Sequence, residues 1–277
     1  MKYRAICTDI DGTLLDSRRE LSPRTIEAFQ KLDKNIPVIL ASSRMPSAMR
    51  HLQQELGILH HPMICFNGGY VIIYEGDNTA PLVIDTVEIP VSICLDILLR
   101  ARNTDIHVSL YVEDLWYAPK IDQWTEKEEK VTKVSANITE LETLLQGWQE
   151  TNTGAHKVMC MGPEEEIKAM YEGLQSTYGD QIHIYRSKST YLEIAPRSIS
   201  KATALEMILK DRFGISMDEV VAFGDNYNDI EMLQAVGMGI AVDNAREEVK
   251  AVANEITLNN KEDGVAIAIE KIFHSTK

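Results

Sequence analysis

Four short, largely apolar runs in this chain each break off at a polar loop, and that recurrence restricts the fold more than any other feature. Residues 5–8 end at Asp9-Ile10-Asp11-Gly12-Thr13, and residues 36–41 at Ser42-Ser43-Arg44. Residues 63–66 end at Asn67-Gly68-Gly69, and residues 220–223 at Gly224-Asp225. Between the first three runs lie two segments with helical signals. Ser22 and Pro23 suit a helix cap and first turn, and Ile26, Phe29 and Leu32 follow at helical spacing. Residues 46–56 form a second helix that Gly57 stops. Strand, polar loop, helix, strand is the signature of parallel α/β units. Strands that are apolar throughout, rather than alternating, suit a sheet with helices on both faces.

The pattern changes in the middle of the chain. Residues 70–75 and 82–89 flank Gly76-Asp77-Asn78, a hairpin signal. Residues 91–102 read as a helix, and 108–112 and 115–118 alternate like half-buried strands. The charged stretch 122–135 is expected to face water, and Thr139 to cap a helix reaching Trp148. Residues 156–161 and 181–186 read as strands around a helix at 163–177. Strands with and without intervening helices indicate a separate α+β unit. The first domain is expected to resume with a strand at 191–195 and a helix at 201–213 ended by Gly214. A helix at 230–236, a strand at 239–242 and helices at 245–253 and 265–273 follow. The expected fold class is therefore α/β: a Rossmann-like parallel core in two parts, 1–83 and 189–277, with an inserted α+β cap at 84–188. No internal repeat is visible.

Composition narrows the possible partners. The formal net charge of −14 repels nucleic acid and anionic membrane surfaces. It also means that a phosphate site must bring its own positive charge. No run approaches the roughly 18 apolar residues of a membrane span, and the N-terminus shows no signal-peptide pattern. Cys7, Cys65, Cys94 and Cys160 lie in apolar runs, without the spacing of a zinc site. They read as small core residues of a reducing compartment, so the expected location is the cytoplasm. The sequence assigns no oligomeric state.

The loops carry the chemistry. Ligands of open α/β sheets bind outside the carboxyl ends of the strands. Asp9 and Asp11, two apart at a strand end, are expected on one side, where a buried pair of carboxylates calls for a bound cation. A reaction needing a nucleophile and a proton donor would use both. Lys201 stands at a helix start, where the dipole disfavours a cation, so it reads as facing an anion. Asp225, Asn226, Asn228 and Asp229 crowd one loop with hard oxygen donors suited to Mg²⁺. A helix cap explains one or two of these residues, not all four. The seven histidines show no metal-site pairing.

Taken together, Asp9-Ile-Asp11-Gly12-Thr13-Leu14-Leu15, Ser42 after an apolar run, Lys201 and Gly224-Asp225-x-x-Asn228-Asp229 resemble the four motifs of the haloacid dehalogenase-like phosphatase superfamily. The insertion between the second and third motifs is similar to the large α/β cap of its Cof-type subgroup. So are the loops at Asn67-Gly68-Gly69, Val242–Ala245 and 260–265. The resemblance implies that Asp9 attacks phosphorus and that Asp11 protonates the leaving alcohol and then activates water. It implies Mg²⁺ held by the Asp9 carboxylate, the Asp11 carbonyl and Asp225. Ser42, Lys201 and Asn228 would bind phosphoryl oxygens, helped by backbone N–H groups of the 10–13 turn. Asn228 and Asp229 would orient Lys201 and the metal's waters. Three positions depart from the subgroup pattern: Ser42 replaces threonine, Ser43 replaces glycine and Ala202 replaces glycine. None removes a charged group.

The expected function is a Mg²⁺-dependent phosphatase acting on a small phosphorylated metabolite, with sugar phosphates first. Flavin mononucleotide or pyridoxal phosphate is the nearest alternative substrate, and a sugar phosphomutase is the alternative of another class. A non-catalytic binding module would not need Asp9, Asp11, Lys201 and Asp225 together. Arg44 and Asn67 are candidate contacts to substrate or to the domain boundary. His107, Tyr111, Trp116 and Tyr117 are either cap core or readers of an organic group.

Overall fold

The structure is a computed structural model that describes residues 2–76 and 79–274. Its strands in chain order are β1 Ala5–Thr8, β2 Val38–Ala41, β3 Met63–Cys65, β4 Tyr70–Ile73, β5 Leu82–Thr86, β6 His107–Val112 and β7 Leu115–Ala118. There follow β8 Asn137–Ile138, β9 Lys157–Met161, β10 Ile182–Lys188, β11 Tyr191–Pro196, β12 Val220–Gly224, β13 Met238–Ala241 and β14 Glu255–Ile256. They form two sheets, and the chain divides into two compact units.

The first unit comprises 1–43, 49–85 and 200–277. Its eight-stranded sheet has the order β14-β13-β12-β1-β2-β3-β4-β5. All pairs from β14 to β3 are parallel, and β3–β4 is antiparallel. β1, β2, β3 and β12 are buried along their whole length, as a sheet covered on both faces requires. The helix Pro23–Gln30 packs with Gly264–Ile269, and Lys201–Ile208 packs with Ile230–Ala235. Ser22 caps Pro23–Gln30 by accepting from the Thr25 N–H. Lys201–Ile208 continues through a π-helical turn at Leu209–Phe213 to Gly214, whose φ of +59° ends it. The expected helix at 245–253 is regular only at Glu247–Lys250.

The second unit comprises 86–199 together with 44–48. Its six-stranded sheet has the order β10-β11-β9-β6-β7-β8, antiparallel except for β7–β8. The strand at 191–195 was expected in the other sheet. It instead pairs with β10 and β9, because only Ser189 and Thr190 separate it from β10, and so short a link makes a hairpin rather than a crossover. One face of this sheet is aliphatic: Val108, Leu110, Val158, Cys160, Leu192 and Ile194 pack with residues of the helices Val91–Ala101, Leu141–Thr151 and Glu164–Tyr178.

Two further expectations change here. β6 is buried along both faces, not half-buried, because Tyr111 stacks on Trp116 at 5.7 Å and the Lys157 ammonium lies 4.4 Å over the Tyr111 ring. The charged stretch does face water along most of its length, and it forms a helix, Gln123–Thr132, in which Asp122 accepts from the Trp124 and Thr125 N–H groups. The next helix begins at Leu141 after Glu140, so Thr139 is not its cap. Asp77 and Asn78 of the expected hairpin turn lie outside the described residues. Among the described residues, no helix is long and apolar enough to cross a membrane.

Candidate active site

Four neighbouring parallel strands, β12-β1-β2-β3, deliver the loops bearing Asp225, Asp9, Ser42 and Asn67 to one edge of the first sheet. Parallel strands place their carboxyl ends together, and this follows from connectivity alone. Lys201 opens the helix that Ser200 caps, and its side chain is fully buried.

The Lys201 ammonium donates to Asp9 Oδ1 at 2.5 Å and to Asp229 Oδ1 at 2.8 Å. Asp229 Oδ2 accepts from the backbone N–H groups of Asp225 at 2.9 Å and Asn226 at 3.0 Å. Both Asp229 oxygens are thus engaged in holding the lysine and the loop. Asp225 Oδ1 accepts from the Thr13 hydroxyl at 3.0 Å. Gly12 has a φ of +89°, and a Cβ there would lie 2.4 Å from Asp225 Oδ2, so only glycine lets the two loops meet. Asn228 Nδ2 donates to Asn67 Oδ1 at 2.9 Å.

Strand alternation is not what places Asp9 and Asp11. β1 ends at Thr8, so the period of two stops before either aspartate. Asp9 is buried, whereas the Asp11 side chain is a third exposed and is ion-paired with Arg19. Arg19 lies eight residues on, in a left-handed backbone conformation, and no sequence pattern marked it. Thr13 and Asn244 also went unassigned. Asn244 donates to the Gly12 carbonyl at 2.7 Å and accepts from the Asn260 N–H at 2.9 Å, fixing the first loop from behind.

Ser42 is buried, and its backbone is tied to β3: its N–H donates to Ile64 O and its carbonyl accepts from the Asn67 N–H, both at 2.9 Å. Arg44 is buried and donates to the carbonyl of Ala48 at 2.9 Å. In the second unit, His107 joins Asp122 at 2.9 Å and Ser109 at 3.1 Å, and Tyr117 meets Trp148 edge-on. These contacts account for His107, Tyr111, Trp116 and Tyr117 as packed residues of that unit.

The electrostatics call for a cation. Asp9, Asp225 and Asp229 each offer a carboxylate oxygen within 4.8 Å of the others. Among the described residues, Lys201 is the one ammonium bonded among these carboxylates. Burial pushes the Asp9 carboxyl well up, Lys201 opposes this, and Asp229 and Asp225 add to the rise. Asp225 is pushed up to about 6 by burial and by Asp229. Burial works against the Lys201 charge, but Asp229 and Asp9 outweigh it and hold the ammonium charged. Asp9 Oδ2 is buried with no protein partner, which is an expensive state for a carboxylate oxygen. An oxygen-lined, acidic, part-buried cluster with an orphaned carboxylate oxygen fits Mg²⁺, and that is the cofactor of the site.

Comparison with known proteins gives the same family. A family model described as haloacid dehalogenase-like hydrolase matches residues 6–269. A pyridoxal phosphate phosphatase of Escherichia coli is 29% identical, over 96% of this chain and 97% of that one. A 5-amino-6-(5-phospho-D-ribitylamino)uracil phosphatase of Bacillus subtilis is 27% identical, over 97% of both. A crystal structure of a haloacid dehalogenase-like hydrolase from Bacteroides thetaiotaomicron superposes with a TM-score of 0.87 at 30% identity, covering 98% of this chain and 100% of the other.

Proposed function

This chain belongs to the haloacid dehalogenase-like hydrolases, and on that footing we propose that it hydrolyses small phosphorylated metabolites, sugar phosphates foremost, through an aspartyl-phosphate at Asp9. The observation that carries the reading is the 2.5 Å contact between Lys201 Nζ and Asp9 Oδ1, made beside an Asp9 oxygen with no protein partner. The contact orients one carboxylate oxygen and leaves the other for chemistry.

Asp9, Asp225 and the Asp11 carbonyl hold the Mg²⁺, with Asp229 acting through Lys201 and the loop. When bound, Mg²⁺ supplies positive charge against the phosphoryl oxygens and screens Asp9 from them. Lys201 adds a fixed charge in a buried setting, where it acts most strongly. Ser42 and Asn228 position the phosphoryl group. Asp9 attacks phosphorus, and Asp11 gives its proton to the departing alkoxide and then takes one from water. For Asp11 to do this it must leave Arg19.

The second unit carries substrate selection, and the first unit carries the phosphoryl chemistry. A second reading, phosphorylated cofactors, is favoured by the names of two relatives, whose substrates each carry a heterocyclic ring. The test is release of inorganic phosphate from a panel of hexose, pentose, pyridoxal and flavin phosphates, with Mg²⁺ and then with EDTA. Strong preference for a ring-bearing phosphate favours the second reading. Isomer conversion with little free phosphate identifies a mutase instead.

A further inference from the structure

The loop after β3 has an unusual backbone for the residues it contains. Phe66 and Asn67 are consecutive, buried and left-handed, with φ of 50° and 59°. Asparagine tolerates that region, but a bulky aromatic residue there is an outlier that its surroundings must enforce. Gly68 follows with φ of +112°, and a Cβ on it would come within 2.7 Å of the Ser200 carbonyl. The knuckle is therefore pressed against the residue that precedes Lys201.

The same knuckle is bonded to two other loops of the site. The Asn67 N–H donates to the Ser42 carbonyl, and Asn67 Oδ1 accepts from Asn228 Nδ2, each at 2.9 Å. Asn228 lies in the turn whose backbone N–H groups are held by Asp229, the partner of Lys201. One residue thus links the loops bearing Ser42 and Asn228, and its neighbour abuts the start of the helix bearing Lys201. Backbone strain kept at such a junction is a mark of pre-organisation.

We propose that Asn67 is a positioning residue for the phosphate site: its side chain sets the placement of Asn228 and its backbone that of Ser42. The proposal rests on the phosphatase reading and assigns Asn67 a role distinct from contact with the organic part of the substrate. A pre-set pair of phosphate ligands binds without first being ordered, which favours both affinity and turnover.

The test is a double-mutant cycle of Asn67→Gly and Asn228→Ala. It is read by kcat and KM on an aryl phosphate with Mg²⁺, by calorimetric titration of inorganic phosphate, and by thermal unfolding. Glycine suits the left-handed backbone at 67, so the fold is kept while the side-chain bond is lost. Each single change is expected to lower kcat/KM and phosphate affinity by about tenfold or more. The double variant should be no worse than Asn228→Ala alone, because both remove one linkage. A purely structural role would lower the melting temperature without moving phosphate affinity, and that result overturns the proposal. So do wild-type parameters in Asn67→Gly, or losses that multiply in the double variant. Asp9→Asn in the same assay separates the two levels. If it is inactive while the cycle is multiplicative, only the positioning role fails. If it turns over at the wild-type rate, the phosphatase reading of Asp9 fails.

Discussion

Lys201 and Asp9 stand 192 residues apart in the chain and 2.5 Å apart in the structure. Asp229, at 2.8 Å, completes a buried carboxylate–ammonium–carboxylate bridge joining the loop after β1, the helix Lys201–Ile208 and the loop after β12. Removing the cation from such a bridge leaves two buried carboxylates facing each other. Lys201→Met should therefore abolish turnover and destabilise the fold by about 3–5 kcal/mol. Thermal unfolding without added metal checks this, and an unchanged melting temperature would count against the bridge.

Asp9→Asn acts in the opposite sense on stability. Burial and two neighbouring carboxylates already disfavour the Asp9 charge, so a neutral amide should leave the metal-free melting temperature equal or higher. Turnover should drop by at least about 10³-fold, as expected for a lost nucleophile. Circular dichroism and phosphate release on the same preparation decide the matter.

Mg²⁺ binding should weaken in acid. Asp225 is pushed up to about 6, so a proton competes with the metal below that pH. Calorimetric titration should show affinity roughly tenfold lower one pH unit below 6, for one displaced proton. Asp225→Ala should remove the metal response. Asp229→Asn should keep part of it, because both Asp229 oxygens already serve Lys201 and the loop backbone. Equal loss in the two variants would make Asp229 a direct ligand.

The second unit should lose stability as pH falls. His156 is buried, with Nδ1 accepting from the Glu113 N–H and Nε2 at 2.9 Å from the Thr86 hydroxyl. Burial lowers its pKa from 6.5 to about 4. A histidine with a depressed folded-state pKa contributes stability that is complete above the unfolded value and is lost as pH drops from about 6.5 towards 4. The shift corresponds to at most about 3 kcal/mol. Unfolding curves between about pH 7.5 and 4.5 should be flatter for His156→Gln than for the parent. Parallel curves would exclude His156 as the source.

The catalytic edge of the first sheet was legible because its signals are local. Each apolar run ends at the polar residue it presents, and parallel connectivity gathers the four ends. Legibility failed where long-range partners decide the outcome. β11 looks like any buried strand, and only its two-residue link to β10 puts it in the second sheet. The helix Gln123–Thr132 was hidden by its charges, although Asp122 followed by Trp124 and Thr125 is a capping signal in retrospect. Arg19 could not be paired with Asp11 from sequence, since the pairing depends on a loop turn with a left-handed residue. Asn67 stood out as part of an Asn-Gly-Gly loop, but its bond to Asn228 spans 161 residues and is visible only in the fold.

The claim at the centre is a phosphoryl group carried on Asp9. Enzyme with Mg²⁺ and a turning-over aryl phosphate should be quenched in acid and treated with borohydride, which reduces an acyl phosphate but not a free carboxylate. Peptide mass spectrometry should then find residue 9 converted to homoserine in proportion to the trapped intermediate, with Asp11 unaltered and Asp9→Asn unreactive. Turnover with residue 9 left entirely as aspartate, or conversion at any other carboxylate, would contradict the account.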